Sequence, residues 1–208
     1  FADKTITLTE DVDLSAYGNW TPIGSFDNYA QTDAEKAFSG TFDGANHRIT
    51  GLSINSHKAN VGLFGAINNG AAVKDLTIDG ANIITTKKNA GALAGATTTN
   101  RGAGGLTITN VKVINSTVKA QGHTAGIIGW IASGLTDAET AKITGCSVDG
   151  STIASVNDAT GGEGDKAGAI IGQASSTADV QNCTVDAALP QESQGSVIAG
   201  VRDIGGIV

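Results

Sequence analysis

An all-β fold, a parallel β-helix built from one chain, is predicted by three observations. A six-residue apolar pattern recurs five times along 208 residues, a glycine-bounded apolar segment alternates with it, and the position between the last two apolar residues is polar in every copy. The pattern is apolar, two spacers, apolar, one spacer, apolar. Its copies are Ile49-Thr-Gly-Leu52-Ser-Ile54, Val73-Lys-Asp-Leu76-Thr-Ile78, Ile108-Thr-Asn-Val111-Lys-Val113, Ile143-Thr-Gly-Cys146-Ser-Val148 and Val180-Gln-Asn-Cys183-Thr-Val185. Repeats of about 35 residues whose strands cannot bury their apolar side alone are the signature of a solenoid, in which each period is one coil stacked on the last.

Each element of the coil follows in order. Period-two alternation points Leu52, Leu76, Val111, Cys146 and Cys183 inward, together with Ile54, Ile78, Val113, Val148 and Val185, and turns Ser53, Thr77, Lys112, Ser147 and Thr184 outward. The bend within the strand, at Gly51, Asp75, Asn110, Gly145 and Asn182, carries residues that tolerate left-handed φ. A second short extended segment follows five residues on, at Ile83-Ile84, Val118 and Ile153. The third is the glycine-bounded one: Gly62-Leu-Phe-Gly65, Gly91-Ala-Leu-Ala-Gly95, Gly126-Ile-Ile-Gly129 and Gly168-Ala-Ile-Ile-Gly172. Gly62, Gly91, Gly126 and Gly168 read as corners where the chain bends or meets the neighbouring coil too closely for a Cβ. No segment shows sustained helical spacing, and 29 glycines disfavour helices.

Composition narrows the function classes. With 13 Lys and Arg against 20 Asp and Glu, and no basic cluster, nucleic-acid binding has no electrostatic footing. No apolar run approaches a membrane span, and the glycines lack the Gly-X-Y period of collagen. Cys146 and Cys183 are too few for a disulfide framework and lack metal-ligand spacing. They fall in one inward column on adjacent coils, so stacked thiols are expected, with a disulfide geometrically open. The chain starts at Phe1 and has no Met, so its N-terminus is expected to be processed or trimmed. Ile204-Gly-Gly-Ile-Val208 reads as the start of another strand, so either a fragment of a longer chain that continues with further coils or a cap, or a C-terminal end covered by another subunit, is expected.

The N-terminal third carries a family resemblance. Trp20-Thr-Pro22-Ile23-Gly24, then Phe38-Ser-Gly40-Thr-Phe42-Asp43-Gly44-Ala-Asn46-His47-Arg-Ile49, then Val61-Gly62-Leu-Phe-Gly65 resembles the opening of the GLUG-motif repeat proteins. Asn46 stands where glycine is more usual there, Arg48 replaces a common Thr, and only the first GLFG copy is strict. The resemblance implies a right-handed parallel β-helix in secreted or cell-surface bacterial proteins. It implies no defined activity and no catalytic residues. The whole chain, 1–208, then reads as one domain of about five coils, with 1–48 as N-terminal cap and first coil and 49–208 as stacked coils.

Parallel β-helices also host polysaccharide lyases and glycosidases, whose chemistry calls for paired carboxylates near a basic residue. Asp79, Asp149 and Asp186 share a column with Asn55 and Ile114, just after the main strand, and read as turn residues rather than a Ca²⁺ or catalytic pair. Asp158, Glu163 and Asp165 lie in the longest insertion and match no calcium-loop spacing. His47, His57 and His123 are not spaced as ligands, and Arg101, Lys112, Lys119 and Lys142 do not converge with the acids. Trp20 reads as a lid over the open N-terminal end, and Trp130 as either core or surface. The threonines Thr85-Thr86 and Thr97-Thr98-Thr99 lack the regular lattice of an ice-binding face. The resulting expectation is a noncatalytic extracellular module for adhesion or structural display, with a protein or glycan partner, no catalytic residues, no metal and no cofactor. The competing classes are a carbohydrate-active β-helix enzyme and a calcium-dependent binding module.

Overall fold

The computed structural model describes residues 4–24, 36–68, 70–98, 105–132, 140–156 and 166–186, with the backbone of Val197–Ala199 and Ile204–Gly205. Alternating apolar residues form four parallel sheets wound into a solenoid. The long first face has six rungs. Its complete ones are Ala72–Asp79 and Thr107–Ile114; elsewhere the rung is split, as in Thr41–Asp43 with Arg48–Thr50 and Ala141–Thr144 with Ser147–Asp149. The second face stacks Ser53–Ser56, Asn82–Thr85, Thr117–Ala120, Thr152–Ser155 and Val197–Ala199. The third holds Ala90–Gly91, Thr124–Ala125, Ala167–Gly168 and Ile204–Gly205, and the fourth Phe64–Ile67, Ala94–Thr97, Ile128–Ile131 and Ile171–Ala174. The glycine-bounded segment is therefore two strands with a tight bend between them, not one. The described residues include a short 3₁₀ turn, Ser15–Tyr17, and no helix long and apolar enough to cross a membrane.

From the second coil onward the expected columns stand in register. Val73 pairs Ile108, which pairs Ile143, which pairs Val180; Ile78 pairs Val113, which pairs Val148, which pairs Val185. Leu76, Val111 and Cys146 are buried between them, while Lys112 and Thr184 lie exposed outside. The first copy is different. Ile49 pairs Ile78 and Ile54 pairs Ile83, whereas the sequence pattern set Ile54 opposite Ile78. Phe42, not Ile49, opposes Val73. The reason is that the same pattern also describes the next corner: Ile78-Asp-Gly-Ala81-Asn-Ile83, Val113-Ile-Asn-Ser116-Thr-Val118 and Val148-Asp-Gly-Ser151-Thr-Ile153. Ile49-Thr-Gly-Leu52-Ser-Ile54 belongs to that series.

Two left-handed ladders result. One runs through Asp75, Asn110, Gly145 and Asn182 in the bend of the long face, and the other through Gly51, Gly80, Asn115 and Gly150 at its end, all with φ between 51° and 68°. Gly51 thus moves from the first ladder to the second. At the second corner the inward position passes from Leu52 and Ala81 to Ser116 and Ser151. Each serine Oγ accepts the backbone N–H of its neighbour in the preceding coil, at 3.0 Å from Ala81 and from Ser116, so these buried hydroxyls are satisfied.

The core is closed toward the N-terminus by aromatics. Phe38 and Phe42 pack on Phe64 with ring centroids 4.8 and 5.5 Å away, and half-buried Ile6, Leu8, Val12, Trp20 and Ile23 lie over the first full coil. The indole N–H of Trp20 donates to Leu63 O at 3.2 Å, which fixes the ring as part of this lid. At the other end Val180, Cys183 and Val185 are only half-buried. Both thiols are free, so the cysteines are stacked but unequally buried. Burial pushes the Cys146 thiol up to about 12. Native protein treated with iodoacetamide at pH 8 is expected to be alkylated at Cys183 and spared at Cys146, with two thiols titrating after denaturation; peptide mass mapping distinguishes the sites.

Candidate functional site

The acidic column, expected as turns, occupies the last paired position of the long-face strands, one residue before the left-handed corner of Gly80, Asn115 and Gly150. Thr50, Asp79, Ile114 and Asp149 occupy successive rungs, and Thr50, not Asn55, stands in the first. Asp79 is ion-paired with Arg48 and accepts Asn115 Nδ2–H at 2.9 Å, while Asp149 accepts the Ser147 hydroxyl at 2.9 Å. Apolar Ile114 separates them. Upstream, Asp43 accepts from Lys74 Nζ at 2.5 Å, a bond that holds its carboxyl below the usual range. Asp11 accepts the Arg48 backbone N–H at 2.9 Å and faces His47 Nδ1 at 3.2 Å, and its carboxyl is likewise held low, chiefly by the backbone bond. His57 Nδ1 meets Thr86 Oγ1 at 2.9 Å. Among the described residues no three His, Cys, Asp or Glu side chains are grouped to hold a metal. Asp158, Glu163, Asp165 and Arg101 lie outside the described residues.

The structure instead assembles a buried polar ladder that sequence reasoning missed. Asn60, Asn89, His123 and Lys166 each immediately precede the third-face position, where Val61 pairs Ala90, Ala90 pairs Thr124 and Thr124 pairs Ala167. Asn60 and Asn89 take left-handed φ of 58° and 66°, which asparagine tolerates best among residues with a side-chain amide. Asn89 Nδ2–H donates to Asn60 Oδ1 at 2.8 Å; Asn89 Oδ1 in turn lies 2.7 Å from His123 Nδ1, which must then carry the proton. All three are buried, at 5%, 4% and 9% exposure. A sequence signal existed, since Asn60 and Asn89 both stand two residues before the first glycine of their GLFG-like segments.

The two ends of the ladder differ. At the His123 end the half-buried Trp130 lies with its centroid 6.1 Å from the imidazole, and its indole N–H donates to the exposed Ser175 hydroxyl at 2.9 Å. Trp130 is thus at the surface, in the column that Ala66 and Ala96 occupy below it and Gln173 above. At the Asn60 end a cleft of about 150 Å³ opens between the N-terminal segment and the first coil, lined by Asn19, Trp20, Pro22, Ile54, Lys58 and Asn60 among others. A shallower groove of about 340 Å³ runs outside the long face past Asn46, Asp75, Asn110 and Lys112, where Asn110 Nδ2–H already donates to Asp75 at 3.0 Å.

Burial lowers the His123 pKa to about 4, with the charges of Lys88 and Lys166 acting in the same direction. The unfolded imidazole, near 6.5, takes up a proton that the folded one refuses until about pH 4. The ladder's contribution is therefore whole above pH 6.5 and is lost as pH falls toward 4, by roughly 3 kcal/mol at 1.36 kcal/mol per unit. Urea melts at pH 7 and pH 4.5 are expected to show this loss in the wild type and a smaller one in His123→Asn, which keeps a rung but removes the titration.

Fold and site together define a parallel β-solenoid with an internal asparagine–histidine ladder and a cleft at one end of it. No family model matches the chain. Over 131 residues, 61% of the chain, it is 33% identical to halomucin of Haloquadratum walsbyi, and the matched stretch spans about 1% of that relative's length. A solved structure of a proposed immunoglobulin A1 protease from Bacteroides ovatus aligns with 98% of this chain and 77% of its own, at 15% identity and a TM-score of 0.47.

Proposed function

We propose that this solenoid is a noncatalytic extracellular module, secreted or at the cell surface, that serves adhesion or structural display by presenting its faces to a protein or glycan partner, in the manner of the GLUG-motif proteins it resembles. The observation that carries the reading is the state of the carboxylates along the long face. Asp43, Asp75, Asp79 and Asp149 each meet a neighbouring amine, guanidinium, amide or hydroxyl, and the outward positions between them are short polar side chains and single lysines. Such a face presents hydrogen-bonding groups in a regular array. Among the described residues Asp79 and Asp149 are each engaged and stand on either side of Ile114, unlike the two free acids that glycoside cleavage uses. The match of this chain to a small stretch of a very long relative supports the same reading, as a module within a larger chain.

A glycan array probed with the purified module, followed by incubation of each bound polysaccharide with it, tests the proposal. Binding without chain scission is expected. New reducing ends or unsaturated products would overturn it in favour of a carbohydrate-active enzyme, and a blank array would remove the glycan partner.

A further inference from the structure

The ladder hands hydrogen bonds in one direction, and the direction has an end. His123 donates to Asn89 and Asn89 donates to Asn60, so Asn60 Nδ2–H should donate onward to a residue of the N-terminal segment. No such rung exists among the described residues. The first coil takes eleven residues to run from Ser53 to Phe64, past the corner that holds Asn60, whereas the N-terminal segment takes only four between the bridges Asn19–Ser53 and Ile23–Phe64. Four residues reach at most about 14 Å, so the chain cuts across the corner instead of following it. Asn60 is left 95% buried, its oxygen engaged by Asn89, and its Nδ2 donors without a partner among the described residues. A buried amide donor left unpaired is costly, and the cleft that the short cut opens is lined by this same residue.

Several other polar groups around the cleft are already engaged within the protein. Asn19 exchanges hydrogen bonds with the Asn55 backbone in both directions, Ser56 Oγ accepts from the Lys58 N–H, and the Trp20 N–H is held by Leu63 O. The cleft thus brings the Asn60 amide together with the hydroxyls of Thr21 and Ser56, the indole of Trp20 and the apolar residues Pro22, Ile54 and Val61. At about 30 Å³ per water, the cleft holds the volume of roughly five waters. We infer that this cleft is a subsite for a single sugar ring, whose hydroxyl oxygen accepts from Asn60 Nδ2 while its apolar C–H surface lies against Trp20 and its neighbours. The inference rests on the adhesion reading above and places one contact of it. A pyranose combines an acceptor-rich edge with an apolar surface at this size, whereas an extended peptide would need a row of backbone partners that the cleft does not supply.

The test is an NMR titration of the ¹⁵N-labelled module with methyl glycosides of glucose, galactose, mannose and N-acetylglucosamine, with triglycine as a carbonyl-bearing control. A lone ring of about a dozen heavy atoms is expected to bind with a Kd of order 1 mM. At least one glycoside should shift the Asn60 side-chain amide and the Trp20 indole N–H together and saturably. Asn60→Asp keeps an oxygen for Asn89 and removes the donors, and Trp20→Ala removes the wall. Each should weaken binding at least tenfold in protein that retains its strand circular dichroism. If a variant fails to fold, the wild-type Asn60 resonance still decides. An Asn60 amide unmoved by every glycoside, or moved equally by triglycine, overturns the subsite. A positive glycan array with an unmoved Asn60 places recognition elsewhere and leaves the adhesion reading intact, whereas glycoside shifts at Asn60 together with scission of a bound polysaccharide would uphold the subsite and sink that reading.

Discussion

Leu76→Asp is expected to abolish folding, with loss of the strand circular dichroism at pH 7. Leu76 is 1% exposed, sits over Gly44 of the preceding coil and pairs in register with Val111 of the next. Removing a buried leucine costs about 2–5 kcal/mol, and the carboxylate that replaces it would be turned inward among the apolar groups of the core. The sum rivals the whole stability of a typical domain, about 5–15 kcal/mol. Thr77→Asp, one residue on, points outward beside Arg48 and Lys112 and is expected to change stability by less than about 0.5 kcal/mol. Urea denaturation of both variants is decisive, since the reverse ranking would mean that the two sides of the strand have been exchanged.

The second large effect is at Gly95. A Cβ there would lie 2.4 Å from Asn60 C and 2.4 Å from Val61 N, both backbone atoms of the coil below. Neither can rotate away, so Gly95→Ala must pry the third and fourth faces apart and disturb the ladder at Asn60. A loss of about 3 kcal/mol or more is expected, at the upper end of overpacking costs. Gly80→Ala is the comparison. Gly80 has φ of 68° and nothing within 4 Å of its missing Cβ, so only left-handed strain opposes it, about 1 kcal/mol. Chemical denaturation curves for the pair measure the difference directly. Equal effects would show that the coils at Gly95 are not in backbone contact.

The contrast between those glycines marks how far one-dimensional reading reaches. Two kinds of glycine look alike in a string of letters: one answers to φ, which is local, and the other to the distance between coils, which is not. The sequence by itself determined the parallel β-helix and the inward and outward columns from Val73 onward. Side-chain alternation has a period of two wherever a strand is half-buried, and repetition at about 35 residues leaves only stacking as a way to bury the apolar side. Asp79 and Asp149 read as turn residues because a glycine follows each, and the structure moves the turn to that glycine and leaves the aspartates as the last strand residues.

Only the tertiary structure decided the rest. The first coil's register was ambiguous because the pattern of Ile49 to Ile54 fits two corners of the same coil, and pairing with Ile78 and Ile83 chose between them. The glycine-bounded segment hid a bend, because two residues of extended chain leave no periodicity to read. Cys183 is less buried than Cys146, although both match one pattern, because burial depends on what lies against the rung and not on the rung itself. The ladder is the clearest case. Asn60, Asn89 and His123 are about thirty residues apart, and each alone is an ordinary turn residue. Their amides and imidazole meet only because parallel strands repeat every 4.8 Å or so along the axis. Among the described residues the Asn60 donor has no partner because the four residues between Asn19 and Ile23 are too few to follow the corner and supply the next rung.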